Sequence, residues 1–347
     1  MIIALLISCS LSLIIILLPK NWVTDSNDLT GIQKFHHRPT PRIGGIPVFM
    51  SFFIGLWYLD LQEINYIYLL LASLPVFLGG VIEDFIIRLS PLKRFISTVI
   101  SIVMMFFIFD VNINFLGFDA VDYLLSNSII SLLFTVLIVG GAINAINIID
   151  GFNGLMPGYS IIVLIAIAYV ANILGDTLVI QLSLLLILSI LGTFIFNFPF
   201  GYIFIGDGGA FFIGFMLTMI GLMLGIRNEE VSHWFILLLF IYPLYETAFS
   251  VYRKKIVRNS PLSHPDKFHL HMMIYKRLIR GKIFKNNKTI QNSMTSPLLW
   301  VLSFVGIIPA VIWNDNQKML IIWAFIFMII YTIIYRRIVH FKFRFKK

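Results

Sequence analysis

Long apolar runs alternate with short polar breaks along the whole chain. Apolar stretches occupy residues 2–18, 44–59, 66–82, 95–109, 128–146, 155–174, 178–196, 209–226, 233–252, 297–313 and 319–335. Each is long enough, or nearly so, for a membrane-spanning helix, which takes roughly 20 apolar residues. The pattern predicts an all-α polytopic membrane protein with about eleven transmembrane helices, in a single domain over residues 1–347. No Lys or Arg precedes the first run and no small-residue cleavage site follows it, so it reads as a span and not a removable leader. Val111–Tyr123 mixes polar and apolar positions with partial alternation, which predicts a short hairpin. No internal repeat is visible.

Composition agrees. Of 347 residues, 59% are hydrophobic and 12% charged, against roughly 45–50% and 25% for soluble domains. This excludes both a water-soluble core and a disordered chain. The single cysteine, Cys9, excludes a disulfide framework and a cysteine-built zinc site.

The net charge of +9 would suit nucleic acid if it formed one basic patch, but its distribution says otherwise. All 26 Lys and Arg except Arg227 and Lys318 fall on loops after odd-numbered spans or on the C-terminal tail. Basic loops stay in the cytosol. The N-terminus is therefore expected outside and the C-terminus inside, with cytosolic loops at 20–43, 83–94, 147–154, 197–208 and 253–296.

Polar residues of unusual type gather on that cytosolic side. His36-His37-Arg38-Pro39-Thr40-Pro41-Arg42-Ile43-Gly44-Gly45 is either a positively charged flank with a turn or an anion site. Glu83-Asp84, at the end of the third span and followed by Arg88, Lys93 and Arg94, is either a solvated acidic pair or a source of a base or metal-facing carboxylate. Asn144, Asn147, Asp150 and Asn153 follow one another at three-residue steps, which places the first two on one helix face. Four oxygen-bearing side chains suit a hard cation or a hydrogen-bonding ligand, and polar groups in a membrane are costly and functional as a rule. Asn197-Phe198-Pro199 leads to Gly206-Asp207-Gly208-Gly209, where the carboxylate either caps a helix or holds a cation beside N–H groups that bind phosphate. The long basic loop carries His264, Asp266, His269 and His271, a composition suited to a polyanion. Glu246 is a further carboxylate inside a span, to which the pattern assigns no role.

In order and spacing, TPRIGG (Thr40–Gly45), Glu83-Asp84, NAINIIDGFNGL (Asn144–Leu155), Gly206-Asp207-Gly208 and D-x-x-H-x-H (Asp266–His271) resemble the polyprenyl-phosphate N-acetylhexosamine-1-phosphate transferases. These membrane enzymes have ten or eleven spans and a cytosolic site. The resemblance implies transfer of a sugar-1-phosphate from a UDP-N-acetylhexosamine to undecaprenyl phosphate with release of UMP, the step that starts cell-surface polysaccharides such as lipopolysaccharide and cell-wall polymers. It implies a multi-pass protein of the bacterial inner membrane that depends on Mg²⁺, or Mn²⁺ in its place, and leaves a homodimer open. By the same resemblance Asp207 and Asn147 are the metal ligands, Asp84 and Glu83 occupy the family's paired-aspartate position, and Lys93 contacts phosphate. Asn144, Asp150, Asn153, His269 and His271 would meet the nucleotide sugar, with Arg42 and His269 adding positive charge around the reacting phosphates. Two departures stand out: Glu83 replaces the family's first aspartate, and Met272 stands where a further histidine is common. Two rivals remain, the phospho-N-acetylmuramoyl-pentapeptide transferase of peptidoglycan synthesis and a carrier for lipid-linked or nucleotide anions.

Overall fold

The computed structural model describes residues 1–19, 39–85, 90–257, 259, 266, 268–281, 284 and 286–340. His36, His37, Arg38, Arg88 and His264 lie outside them. Among the described residues the protein is all-helical. In chain order the helices are α1 (Ile2–Leu17), α2 (Gly45–Leu59), α3 (Tyr66–Phe85), α4 (Pro91–Phe109), α5 (Asp119–Leu125), α6 (Ser128–Ile148), α7 (Leu155–Leu174) and α8 (Thr177–Asn197). They continue with α9 (Gly206–Arg227), α10 (His233–Leu239), α11 (Ile241–Tyr252), α12 (Leu270–Ile274), α13 (Lys288–Ser293), α14 (Thr295–Ile312) and α15 (Gln317–Val339). Among the described residues, eight helices are long and apolar enough to cross a membrane, or nine if the bent pair α10–α11 is one span. The helices α1 and α2 are apolar but shorter.

At the centre stands α9. Every residue from Gly208 to Gly225 is buried, as expected for a helix that is apolar all round. Small residues let its neighbours approach, the usual way helices associate in a membrane. A Cβ on Gly45 would stand 2.3 Å from Gly209 Cα, and one on Gly80 would stand 2.4 Å from Gly208 N. Phe49 and Phe77 stack at 4.0 Å between ring centres with Phe212 edge-on to Phe49 at 5.0 Å, which locks α2, α3 and α9 together.

Three expectations change. Residues 83 and 84 belong to helix, since α3 runs to Phe85, so the acidic pair rides on a rigid element. The run 233–252 is not one straight span, because α10 and α11 meet at a 69° bend. Pro243 explains the bend: it cannot donate to the carbonyl four residues back, and the freed Leu239 oxygen instead accepts the Tyr159 hydroxyl at 2.5 Å. Val111–Tyr123 forms no hairpin. Its backbone pairs with side chains of α6, as Ile113 N–H donates to Thr135 Oγ1 at 2.9 Å and Ile113 O accepts Ser131 Oγ at 3.0 Å. The short helix α5 then takes the place of a second strand.

Candidate active site

The polar chemistry begins where α9 begins. Residues 41–45 run beside the segment that leads into α9, with Phe204 N–H donating to Pro41 O (2.8 Å), Gly44 N–H to Phe204 O (2.9 Å) and Gly45 N–H to Ile205 O (2.7 Å). Gly206 has φ +78°, and a Cβ there would fall 1.9 Å from the Arg42 carbonyl oxygen. Only glycine meets both conditions. The first N–H groups of a helix have no acceptor within it. Here Asp84 supplies one from α3: Oδ1 accepts Asp207 N–H and Oδ2 accepts Gly208 N–H, each at 2.9 Å. Both oxygens are thus engaged at the positive end of the helix dipole.

The Asp207 side chain is left at the mouth. Arg94 from α4 stands between the acids, with Nη1 2.9 Å from Glu83 Oε2 and 3.8 Å from Asp207 Oδ2. The charges of Arg42 and Asp207 both bear on Glu83, Asp84 and Asp150. Four carboxylates and two guanidinium groups therefore share one electrostatic neighbourhood.

The signature turn reaches the same level through α6. Gly214 of α9 packs on Ile143 and Ile146 of α6. Asp207 lies seven residues from that crossing and Asp150 four to seven, both toward the site, and a helix advances about 1.5 Å per residue. Asn144 turns back on its own helix and donates to Gly140 O at 2.7 Å. Asn147 makes no side-chain hydrogen bond among the described residues. Burial pushes the Asp150 carboxyl up to about 7, with Arg42 pulling against it and Asp207 adding to it.

Asn153 faces inward. Its N–H donates to Asn292 Oδ1 (2.9 Å), its amide to Ser293 Oγ (3.0 Å), and its carbonyl accepts Ser296 Oγ (2.6 Å). Asn197 closes the other flank, accepting Gly154 N–H at 2.6 Å and donating to Ile203 O at 2.7 Å. These amides hold the turn against α8, α13 and α14.

The histidine segment docks alongside. The Glu246 carboxylate, fully buried in α11, meets His269 Nδ1 at 3.0 Å and accepts Leu270 N–H at 2.9 Å and the Tyr331 hydroxyl at 2.7 Å. Asp266 accepts Ser250 and pairs with Arg253, and stands 3.9 Å from His269 Nε2. Burial would raise the Asp266 carboxyl, but those donors and the charges of Arg253 and His269 hold it below the usual range. The rings of His269 and His271 stack at 5.2 Å. His271 is fully buried, neither ring nitrogen has a partner among the described residues, and a Cβ on Gly151 would stand 3.3 Å from its Nε2. Burial pushes His271 down to about 3, so it is neutral at physiological pH.

The structure thus brings Arg42, Glu83, Asp84, Asp150 and Asp207 together and places His271 behind the signature turn. Lys93 is exposed and makes no ion pair with a described carboxylate; the neighbouring Arg94 makes those contacts. Arg94 was missed because it read as a flanking charge. Glu246 was missed as a hub although a carboxylate inside a span is itself a functional signal.

Comparison with known proteins points the same way. Residues 66–225 match the glycosyl transferase family 4 model. A probable undecaprenyl-phosphate N-acetylglucosaminyl 1-phosphate transferase of Bacillus subtilis is 27% identical over 310 residues, 88% of this chain and 81% of the relative. An undecaprenyl-phosphate alpha-N-acetylglucosaminyl 1-phosphate transferase of Thermotoga maritima is 27% identical over 259 residues, 75% of this chain and 76% of the relative. A phospho-N-acetylmuramoyl-pentapeptide-transferase of Staphylococcus saprophyticus is 30% identical over 246 residues, 65% of this chain and 75% of the relative.

Proposed function

The chain belongs to glycosyl transferase family 4, the polyprenyl-phosphate N-acetylhexosamine-1-phosphate transferases, and from that premise we propose that it transfers N-acetylhexosamine-1-phosphate from a UDP-sugar to undecaprenyl phosphate, releasing UMP. The observation that carries the reading is the start of α9, where Asp84 engages the first N–H groups and leaves Asp207 and Arg94 exposed to a ligand. We also infer that α1 and α2 cross the membrane with the longer helices, giving eleven spans, and that the site faces the cytosol in a bacterial inner membrane. The basic residues of the loops support that orientation.

The donor set fits Mg²⁺. The Asp207 carboxylate stands at the start of α9 among other acids, where a diphosphate needs added positive charge to sit beside it. Mg²⁺ is ordinarily held by one or two protein oxygens plus substrate phosphates, and no trio of His, Cys, Asp or Glu forms a closed cage among the described residues. Asp207 and Asn147 would hold the ion, which when bound neutralises charge on the diphosphate.

The remaining work is positioning and charge, which dominates phosphoryl transfer. The lipid phosphate oxygen forms a bond to the sugar-bearing phosphorus as the bond to UMP breaks. Arg94 and Arg42 offset the negative charge of that step. A lipid phosphate is already ionised at neutral pH and needs no strong base. Asp84, with both oxygens committed to backbone N–H groups, serves as the orienting group of the α9 terminus, and neither proton abstraction nor a covalent aspartyl-phosphate is assigned to it. Asp150 faces the nucleotide sugar, while His271 from behind and Asn144 and Asn153 within it shape the turn that presents it. Lys93 is left to attract phosphate at the rim.

The test uses detergent-purified full-length protein with undecaprenyl phosphate, Mg²⁺ and a panel of UDP-sugars that includes UDP-GlcNAc and UDP-MurNAc-pentapeptide. We expect UMP and a glycolipid of the mass given by UDP-GlcNAc. Product from the pentapeptide substrate alone would favour the peptidoglycan relative. No UMP with any donor would favour a carrier.

A further inference from the structure

A carboxylate buried in an apolar bundle costs several kcal/mol unless donors surround it. Glu246 has such donors, and they come from three places: the His269 ring, the Leu270 N–H and the Tyr331 hydroxyl of α15. Two of the three belong to the segment that carries the histidines. Facing a carboxylate, His269 Nδ1 must bear a proton, which fixes the ring plane. His269 then lies flat on His271, with the ring planes 7° apart, and His271 faces Gly151 of the signature turn.

The chain of contacts therefore runs from Glu246 through His269 to His271 and the loop that carries Asp150. His269 has little capacity left for substrate, since Nδ1 is committed and Nε2 faces Asp266. His271 is the ring with both nitrogens unpartnered among the described residues. We propose that Glu246 is a positioning residue for the transfer reaction, acting through His269 to register the histidine segment against the nucleotide-sugar side of the site. The inference rests on the transferase reading for its kinetic consequence and on the geometry alone for its structural one.

Both halves can be tested on the full-length protein in detergent. Glu246→Gln keeps the size and removes the charge, and Glu246→Ala removes the acceptor. We expect Glu246→Ala to raise KM for the UDP-sugar about tenfold, as loss of substrate alignment does, and Glu246→Gln to raise it less. KM for undecaprenyl phosphate should stay within about twofold. Combined with His269→Gln, Glu246→Ala should add almost nothing, whereas its effect should multiply with that of Lys93→Ala, because only the first pair is in contact. Unchanged KM for the UDP-sugar, or losses that multiply with His269→Gln, would overturn the proposal.

If Glu246→Ala fails to fold, Tyr331→Phe removes one donor and should shift the same KM in the same direction by about twofold to threefold; no shift would count against it. A readout without turnover is the ¹⁵N spectrum of the histidine rings, with His269 assigned through His269→Gln. Nδ1 should carry a proton in the wild type and lose it more readily in Glu246→Ala. An unprotonated Nδ1 in the wild type would reject the contact whatever the enzyme does. If the wild type releases no UMP while the spectra behave as expected, the transferase reading fails and the positioning contact stands.

Discussion

The two ends of α9 solve the same problem in opposite ways. At its C-terminal end Arg227 donates to Asp176 Oδ2 at 2.9 Å and to Glu63 Oε2 at 2.8 Å, while Asn228 donates to Asp176 at 3.0 Å and Asp176 caps α8 through Val179 N–H at 3.2 Å. Arg227 there ties two carboxylates from different parts of the chain by direct hydrogen bonds. At the N-terminal end only Asp84 is saturated, and Asp207, Glu83 and Asp150 share two guanidinium groups. Direct hydrogen bonds between charged groups fix helices; a carboxylate held on a fixed frame beyond hydrogen-bond reach of Arg94, as Asp207 is at 3.8 Å, keeps its oxygens for a ligand. The comparison assigns scaffold duty to one end and chemistry to the other.

Breaking the N-terminal end should have the largest effect. Asp207→Ala is expected to lower UMP release by about a thousandfold or more at any Mg²⁺ concentration, measured as product formed per folded molecule. Near-normal turnover would remove Asp207 from the site. Next comes Arg94→Ala, with a loss of about ten- to a hundredfold in kcat/KM and a smaller loss for Lys93→Ala. If the lysine variant were the worse of the two, the phosphate role would return to Lys93.

Asp150 sharpens the contrast by pH. Burial pushes its carboxyl up to about 7, so it is protonated below that value and anionic above it. If the anion serves the reaction, kcat/KM of the wild type rises through pH 7, and Asp150→Asn lowers the plateau and flattens that limb. A limb that persists in Asp150→Asn would belong to another group.

The C-terminal end should yield the smallest effect on activity. Burial would raise the Asp176 carboxyl, but the hydrogen bonds from Arg227, Val179 N–H and Asn228 outweigh it and hold it below its usual value. A depressed carboxylate stabilises the fold above its unfolded value, about 4, and that stabilisation is lost as pH falls through the folded value. Asp176→Asn should therefore melt a few degrees lower at pH 7 while kcat stays near wild type. The gap in melting temperature should close below about pH 4; a gap that persists there would mean that the network acts through shape and not charge.

Much of this division was legible in the sequence. Apolar runs mark each long helix, and clustered polar motifs mark the end where function lies, because charge in a membrane needs a reason. TPRIGG and the Gly206-Asp207-Gly208-Gly209 turn, separate motifs in the sequence, meet through Arg42 with Gly206 and Gly45 with Gly209. Three features were less legible, each for a physical reason. Lys93 and Arg94 are adjacent on a helix, and only the register of α4 decides which meets the acids. Asn153 reads as a ligand from its chemistry, yet Asn292 and Ser293, far along the chain, take up its hydrogen bonds. The break before α11 was foreshadowed by Pro243, but the acceptor it frees is met by Tyr159 on another helix.

The central claim is that Asp207, on the frame set by Asp84, is the protein's hold on a divalent cation at the start of α9. Its most direct test is Mn²⁺ binding, followed by electron paramagnetic resonance of full-length protein in detergent with UDP-GlcNAc present. The wild type should bind Mn²⁺ and Asp207→Asn should not, at matched folding. Equal affinity in the two proteins would contradict the claim.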